Sequence, residues 1–419
     1  MLHINDAIAQ ICQQAIPLTT NEKDVECVHL MAATGRILAE DIRSDVHVPP
    51  ANNSAMDGYA INIDDLSQST TLPISQVINA GHPPLPLATG TAARIFTGAE
   101  IPVGANAVVM QEQCQVQDDI QDEQEKTVTL PSSVALNNNI RLQGQDIQQG
   151  DVIVNKGKTL QPQDIGLIAS VGIAEVTVYR KLRVAIMSTG DELTEPGKPL
   201  SAGKIYNTNR YLLHGLLQKM GAEVIDMGDI ADTLAATTEA IQQTIAKQTS
   251  MGRAVDCIIS TGGVSVGDED HIKQAVLTLG ELDLWRIAIK PGKPVAFGHI
   301  HHPQQHIPFI GLPGNPASVF VTFLLIARAF LLTLSHQKNA IPNGQAYTAN
   351  FSWKANQKRQ EYLRAQINQE GHIDIHPKQN SGVLSSTTWA NGLVVVPPQN
   401  NIQQGDSVNF IPFNDFFSS

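Results

Sequence analysis

Two glycine-rich segments of the sequence place carboxylates directly after apolar runs. The segment STGDEL contains Asp191 and Glu192, and the segment STGGVSVGDEDH contains Asp270. The runs before them, LRVAIMS and AVDCIIS, are typical of buried strands. Ligands of open parallel sheets bind beyond the carboxyl ends of the strands, so these acids are expected to lie together at one edge of a sheet.

The acids allow two interpretations. Carboxylates on turns beside a phosphate site can hold Mg²⁺, which prefers hard oxygen ligands. Acids just before a helix also favour its positive N-terminal end, and a helix is predicted to begin near His271. The second segment alone favours capping, but Asp191 and Glu192 at a parallel position favour the metal. Glycine turns alone are weak evidence, and neither GxGxxG nor GxxxxGK[ST] occurs.

Positive charge comes from the segment RIAIKPGKPVAFG. Arg286, Lys290 and Lys293 are three cations within eight residues, spaced by prolines beside apolar strands. Such cations can bind phosphate or another oxyanion. Ordinary surface lysines are the alternative, and the unusual spacing favours a site. The segment GLPGNP follows a further strand, and its second proline, Pro316, is predicted to open a helix.

Three turns nearer the N-terminus carry further polar residues. They are Asp57 in NNSAMDGYAI, Thr97 in RIFTGAEIP, and Arg141 with Asp146 in NIRLQGQDI. Each turn taken singly is explained by turn chemistry. His271 is one of 13 histidines and is interpreted as a helix-end residue. No spacing indicates a Ser/His/Asp or Cys/His set, so nucleophilic catalysis has no support.

Composition narrows the class of protein. A chain of 419 residues predicts two to four domains. The net charge of −12 opposes general affinity for nucleic acid or anionic membranes, so an anionic substrate requires a local basic patch or a metal ion. Four cysteines without a CxxC pair, and an N-terminus unlike a signal peptide, predict a cytoplasmic protein without disulfides.

The order of elements predicts a multidomain fold. Apolar strands alternate with helices from about residue 182 to 334, which indicates an open parallel α/β sheet covered on both faces. The flanks are rich in short alternating runs and are predicted to be β, with a small β-barrel at the C-terminus. An amphipathic helix is expected at the N-terminus. The apolar segment 317–335 is nearly long enough to span a bilayer, but its Arg328 favours a buried helix.

The whole set of motifs resembles the molybdopterin molybdenumtransferase family, which includes bacterial enzymes of the MoeA type, the E domain of gephyrin and the plant homologue. The likeness covers nearly the entire chain, and eight motifs in register are far more specific than any one. The matching motifs are NSAMDGYA, IFTGAEIPVGANAVVMQE, NIRLQGQDI, STGDEL, IYNTNRYLL, STGGVSVGDEDH, KPGKPVAFG and GLPGNPAS.

The resemblance implies an activity and an assembly. Members insert molybdenum from molybdate into adenylated molybdopterin, and AMP leaves with the help of Mg²⁺. The implied assembly is an elongated homodimer, with each site between one subunit's sheet domain and the other's β-rich domain. The expected domains are 1–23 (helix packing on the sheet domain), 24–46 with 142–180 (β-rich), 47–141 (β-rich, completing the partner's site), 181–335 (molybdopterin-binding α/β) and 336–419 (β-barrel).

The resemblance also implies roles for individual residues. The metal is expected at Glu192, Asp232 and Asp270. The catalytic set is expected to be Asp57, Thr97, Arg141, Asp146, Glu192, Asp232, Asp270, Lys290 and Lys293. Substrate contacts are expected from Gly190, Asp191, Gly262, Gly263, Ser265, Pro313, Gly314, Pro316, Arg364 and Ser381. One departure concerns Arg286, where many members have lysine. The positive charge is kept, but a compact ammonium group is replaced by a planar guanidinium group.

Two other functions remain as alternatives. A molybdopterin adenylyltransferase-like enzyme is built on the same sheet domain, but it lacks the region from NSAMDGYA to GQDI. A gephyrin-like scaffold that clusters membrane receptors is the second alternative, and this chain has no adenylyltransferase domain or long linker in front. Other proteins of molybdenum cofactor biosynthesis are candidate partners.

Overall fold

The computed structural model describes residues 1–118, 126–228, 230–246, 254–262, 271–302, 306–337 and 341–417. The chain begins with helix α1 (Ile4–Gln13), whose apolar face is buried as its spacing predicts. This face packs against the helix Arg328–Leu334 near the end of the α/β domain. The buried residues are Ile4, Ala7, Ile8, Ile11 and Cys12.

The N-terminal half is mostly β, as predicted. Its elements are β1 (Val25–His29), β2 (Ile42–Arg43), β3 (Asn53–Ser54), β4 (Gly58–Ile61), β5 (Thr71–Ile78), β6 (Ala92–Ile95), β7 (Ala107–Met110), β8 (Gln115–Asp118), β9 (Lys126–Thr129), β10 (Ile140–Arg141), β11 (Val152–Val154), α2 (Pro162–Ser170) and β12 (Glu175–Tyr179).

These elements form two groups. The pairs β1–β12 and β2–β11 enclose one small core together with α2. A six-stranded sheet in the order β7-β4-β6-β5-β9-β8 forms the other group, beside the short pair β3–β10. Strands β8 and β9, which flank the acidic segment before residue 130, pair antiparallel.

The middle of the chain forms the α/β domain. Its elements are β13 (Arg183–Ser188), β14 (Leu193–Thr194), β15 (Ile205–Tyr206), α3 (Thr208–Lys219), β16 (Glu223–Asp226), α4 (Leu234–Ala246), β17 (Cys257–Thr261), α5 (His271–Leu279), β18 (Gly280–Arg286), β19 (Ile289–Lys290), β20 (Pro294–His301), β21 (His306–Leu312), α6 (Pro316–Thr322) and α7 (Arg328–Leu334).

The main sheet of this domain is mixed, whereas a wholly parallel sheet was predicted. Its order is β16-β13-β17-β21-β20-β18. The first four strands are parallel, but β20 is antiparallel to both β21 and β18. Short connections explain the difference, because parallel neighbours require a crossover of a dozen or more residues. The segments that join β18 to β20 and β20 to β21 are too short for one.

The cap of α4 is Thr233, although the preceding Asp232 is also a good capping residue. The helix begins at Leu234, so Thr233 holds the capping position and its Oγ1 accepts a hydrogen bond from the N–H of Ala236 at 3.2 Å. Asp232 stands one residue too early to reach that donor. Its side chain is therefore available for another role.

The long apolar helix is buried, as predicted. Helices α6 and α7 are joined by a π-helical turn at Phe323–Ala327, and together they run from Pro316 to Leu334. This segment is long and apolar enough to cross a membrane, yet 83% of its most apolar stretch is buried inside the protein. Arg328 is also buried, and its Nε donates a hydrogen bond to the carbonyl of Phe416.

The C-terminal region is a second β domain. Its elements are β22 (Gln345–Thr348), β23 (Gln360–Ile367), β24 (Ile373–Ile375), α8 (Ser385–Trp389), β25 (Gly392–Val396) and β26 (Ser407–Pro412). The sheet order is β19-β23-β25-β26-β22, with β24 on β23, and a bridge between Ala349, just after β22, and Ile373 of β24 closes these strands into the predicted barrel. Strand β19 comes from the α/β domain, so it joins the two domains. The four cysteines are free, as predicted.

Candidate active site

The carboxyl ends of three parallel strands meet at one edge of the main sheet. Strands β13, β17 and β21 are neighbours, and the two S-T-G segments lie side by side, with Ser188 Oγ 3.1 Å from Thr261 Oγ1. The N–H of Gly262 donates to the carbonyl of Leu312. Gly262 has a φ of +82°, a conformation that other residues rarely adopt. The turns predicted to converge from these strands therefore do so in the described residues.

The acids at this edge are open to solvent. Asp191 and Glu192 are exposed, and Lys204 Nζ donates to the carbonyl of Asp191. Asp232 lies beyond β16, the outer parallel strand. In the part of the chain that the structure describes, no three His, Cys, Asp or Glu side chains form a metal-binding group. The predicted residues Gly263, Ser265 and Asp270 lie outside the described residues.

A polar network that the sequence reasoning missed supports this edge. Glu195 accepts hydrogen bonds from Asn207 Nδ2 at 3.2 Å and from the hydroxyl of Tyr211 at 3.0 Å. Arg210 bridges Glu195 and Asp226 at 3.0 and 2.8 Å. The motif IYNTNRYLL contains three of these residues, so it was the available signal. The network fixes the start of α3 against the turns that follow β13 and β16.

A cleft of about 880 Å³ opens between this edge and the C-terminal domain. Four cations line it, and two come from each domain. In the described residues, only Lys290 among them forms a salt bridge. The cations are Lys290, Lys293, Arg359 and Lys378, and other lining residues are Gly262, Gly292, Pro313, Gly314, Trp353, Asn380 and Ser381.

Close packing against α6 fixes the lysine turn of the cleft. Gly292 has a φ of +101°, and a Cβ added there would lie 2.3 Å from Cγ2 of Thr322. Thr322 is fully buried, and its hydroxyl donates to the carbonyl of Ser318 at 2.7 Å. Only glycine lets the turn approach the helix this closely. The backbone between Lys290 and Lys293 is therefore set by the helix behind it.

A buried carboxylate, also missed by the sequence reasoning, holds Lys290. Glu361 is 1% exposed, and its Oε1 lies 2.7 Å from Nζ of Lys290. Its Oε2 accepts hydrogen bonds from Nε1 of Trp353 at 3.0 Å and from the N–H of Asn356 at 2.9 Å. Burial by itself raises the pKa of Glu361, but the hydrogen bonds from Lys290, Trp353 and Asn356 outweigh burial and bring the pKa below its usual value.

Arg364 and Ser381, the two substrate contacts expected from the C-terminal domain, lie at different depths. Ser381 lines the cleft, and its carbonyl accepts from the N–H of Ala317. Arg364 is 1% exposed and lies behind the wall, where it donates to Ser386 Oγ at 3.0 Å and to the carbonyl of Asn380 at 3.3 Å. Burial lowers the pKa of Arg364 to about 10. Arg364 thus supports the loop that carries Ser381.

The other predicted residues form a separate group on the N-terminal β sheet. Asp57 Oδ1 accepts hydrogen bonds from the N–H of Thr97 at 2.8 Å and from its hydroxyl at 3.0 Å. Both hydrogen bonds lower the pKa of Asp57, and the bond from the N–H has the larger effect. Arg141 lies on β10, paired with Asn53 of β3, and Asp146 follows in the next turn. Thr97, Arg141 and Asp146 are exposed.

Solved structures share this architecture. A molybdopterin biosynthesis MoeA protein from Pyrococcus horikoshii OT3 matches with a TM-score of 0.80 and 28% sequence identity, over 99% of this chain and 100% of that one. A molybdenum cofactor biosynthesis protein from Pyrococcus furiosus shares the fold, with a TM-score of 0.59 and 17% identity over 99% and 100% of the two chains.

Family models match three consecutive regions of the chain. The MoeA N-terminal region (domain I and II) matches residues 2–172, the probable molybdopterin binding domain matches residues 185–333, and the MoeA C-terminal region (domain IV) matches residues 346–413. This order, with the cleft between the second and third regions, defines a multidomain protein of the MoeA type.

Two relatives that match over most of the chain carry the same name. A molybdopterin molybdenumtransferase from Haemophilus influenzae is 39% identical over 99% of both chains. Another from Nostoc sp. is 34% identical over 93% of this chain and 88% of its own length. The chain belongs to the molybdopterin molybdenumtransferase family, an enzyme family of molybdenum cofactor biosynthesis.

Proposed function

We propose that this enzyme inserts molybdenum from molybdate into adenylated molybdopterin and releases AMP. The cleft supports this proposal more than any other feature, because its four cations face a sheet edge that a molybdopterin-binding family model covers. The substrate brings its own sulfur ligands for molybdenum, so the protein needs no cysteine cluster. Release of AMP breaks a phosphoanhydride bond, and that step requires stabilisation of charge on phosphate oxygens.

The residues of the cleft supply that stabilisation. Lys290 and Lys293 approach from the α/β domain, while Arg359 and Lys378 approach from the C-terminal domain. Cations on two opposite walls can contact phosphate oxygens and a second oxyanion at the same time. The overall charge of −12 makes this local patch the main source of attraction for an anionic substrate.

Mg²⁺ fits the donor chemistry of the sheet edge. Mg²⁺ is usually bound by one or two carboxylates, substrate phosphates and waters, so a full protein cage is not required. Glu192, Asp232 and Asp270 are the residues proposed to hold the ion. When bound, the ion neutralises charge on the phosphate oxygens. Glu192 is exposed and free to accept such a contact.

A homodimer would complete the site. Thr97 and Arg141 are exposed, and Asp57 is fixed by Thr97, so a preorganised polar surface faces outwards on the N-terminal sheet. We propose that this surface covers the cleft of a second copy and supplies the opposite side of the substrate site. The free cysteines are consistent with action in the cytoplasm.

One assay separates this function from its alternatives. The protein is incubated with Mg²⁺ and adenylated molybdopterin, with or without molybdate, and released AMP is measured. We expect molybdate-dependent AMP release that stops when the divalent ion is chelated. Consumption of ATP and free molybdopterin would indicate an adenylyltransferase. A protein without either activity, but with stable binding to receptor segments, would indicate a scaffold and contradict the proposal. Replacing molybdate by tungstate defines the metal preference.

A further inference from the structure

We propose that Glu361 is a positioning residue that fixes Lys290 in the cleft for charge stabilisation on the substrate. This role rests on the proposed function of the cleft. Glu361 faces Lys290 directly, because Lys290 of β19 pairs with Glu361 of β23 in the sheet that joins the two domains. The backbone register and the 2.7 Å contact between Oε1 and Nζ thus bring the same two residues together.

The carboxylate itself is held rigidly. Glu361 is 1% exposed, and its second oxygen is occupied by Nε1 of Trp353 and the N–H of Asn356. The aromatic ring of Trp353 also lies near the lysine, with Nζ 5.9 Å from the ring centre. A lysine has a flexible stem of four carbons and loses considerable rotamer freedom when it is fixed. Glu361 and Trp353 remove that freedom before substrate arrives.

The side chain of Lys290 nevertheless stays accessible. It is 41% exposed and lines the cleft, whereas the side chain of Glu361 is 2% exposed. The carboxylate of Glu361 therefore contacts the ammonium group of Lys290 from the buried side. The other N–H donors of Lys290 remain available to the substrate. Loss of Glu361 would free the ammonium group to move, although all four cations of the cleft would remain.

This arrangement predicts a specific kinetic change in Glu361→Gln. Substrate attraction persists because the cations remain, so KM and the dissociation constant for AMP should stay within about threefold. Misplacement of a catalytic group by about an ångström can cost about a hundredfold, so kcat should fall about tenfold to a hundredfold. Glu361→Asp keeps the charge but shortens the reach, and it should recover part of kcat.

A double-mutant cycle tests whether Glu361 acts through Lys290. Molybdate-dependent AMP release is measured for wild type, Glu361→Gln, Lys290→Ala and the double variant. The double variant should be no slower than Lys290→Ala alone, because nothing remains for Glu361 to position. Independent losses that multiply in the double variant would overturn the proposal, as would a wild-type kcat in Glu361→Gln.

The pair Lys158–Asp164 provides a matched control. Its ion pair is 2.6 Å long, and its carboxylate is also buried beneath an accessible lysine, but the pair lies in the N-terminal half. Asp164→Asn should lower thermal stability and leave kcat and AMP affinity unchanged. A kcat loss in Asp164→Asn as large as in Glu361→Gln would mean that general destabilisation causes both effects, which contradicts positioning.

Failure of the proposed enzyme activity can be distinguished from failure of the positioning role of Glu361. If wild-type protein releases no AMP, the function of the cleft is wrong. Calorimetry with AMP and with molybdate then still reports on Glu361. Lys290→Ala should weaken the binding of at least one of these anions, and Glu361→Gln should weaken neither by more than about threefold. Equal weakening in both variants would contradict the division of roles between the two residues.

Discussion

Two carboxylates of this enzyme are held by neighbouring donors, but in opposite surroundings. Glu361 lies in the seam between the α/β and C-terminal domains, and three donors from the same chain satisfy it. Asp57 lies on the N-terminal sheet, where Thr97 alone supplies two donors to one oxygen, Oδ1. Both carboxylates have a lowered pKa, so both are ionised at neutral pH. Asp57 is half-buried, whereas Glu361 is 1% exposed.

The difference in surroundings indicates different roles for Glu361 and Asp57. Glu361 is buried and each of its oxygens already has a partner, so it acts on the substrate only through the lysine that it holds. A fixed but partly exposed carboxylate is ready to accept a further partner, so Asp57 suits direct contact with a substrate or metal-bound group. In the proposed homodimer, the cleft would form one half of the site and the Asp57 surface of the second copy would form the other half.

The largest expected effect comes from Lys290→Ala. Removal of this cation leaves the negative charge of the substrate without the cation that is held most rigidly. It also leaves the buried carboxylate of Glu361 without an ion-pair partner. Loss of one preorganised donor typically costs about a hundredfold or more in kcat. Molybdate-dependent AMP release measures this loss. Lys158→Ala is the control, and equal activity of the two variants would remove Lys290 from the mechanism.

A substitution at Gly292 should damage the cleft through its backbone. In Gly292→Ala the new Cβ would meet Thr322 at 2.3 Å, in a conformation that alanine rarely adopts. Strain of this kind costs about 1–3 kcal/mol. We expect a lower free energy of unfolding together with weaker AMP binding. Gly371→Ala also has a positive φ but open space around its Cβ, and it should spare AMP binding. Normal AMP affinity in Gly292→Ala would show that the turn is not set by the helix.

The smallest effect concerns the pH dependence of stability. Because folding lowers the pKa of Glu361, its stabilising contribution is complete above its unfolded pKa of about 4.3 and is lost as the pH falls through the lower folded value. Glu361→Gln cannot titrate, so its Tm should fall less steeply than that of wild type between about pH 5 and about pH 3. Glu370→Gln, which removes an exposed carboxylate, should follow wild type. Parallel curves for Glu361→Gln and wild type would contradict the burial and pairing of Glu361.

Parts of the fold and site could be predicted because local pattern determines them. The apolar runs before the two S-T-G segments specify buried strands, and parallel strands bring their ends to one edge. The direction of β18 and β20 does not follow from the apolar runs themselves, because a short apolar run has the same pattern in either orientation. It follows from the short connections of these strands. Thr233 and Asp232 are both good capping residues, and only the helix start decides between them.

Glu361 illustrates the main limit of sequence reasoning. It lies 71 residues from Lys290 in the chain, in a strand whose other residues are typical of a β sheet. No local spacing distinguishes a buried, paired carboxylate from an exposed one. Its identification requires the pairing of β19 with β23, which crosses a domain boundary.

The most direct test of the account mixes two inactive variants. Asp57→Ala and Lys290→Ala are each purified, dissociated and reassociated together, and molybdate-dependent AMP release is measured. If one copy supplies Asp57 to the cleft of another, mixed dimers contain one intact site, and random mixing restores about a quarter of wild-type activity. If both residues serve the same chain, every site contains one substitution. No recovery after verified exchange would contradict the account.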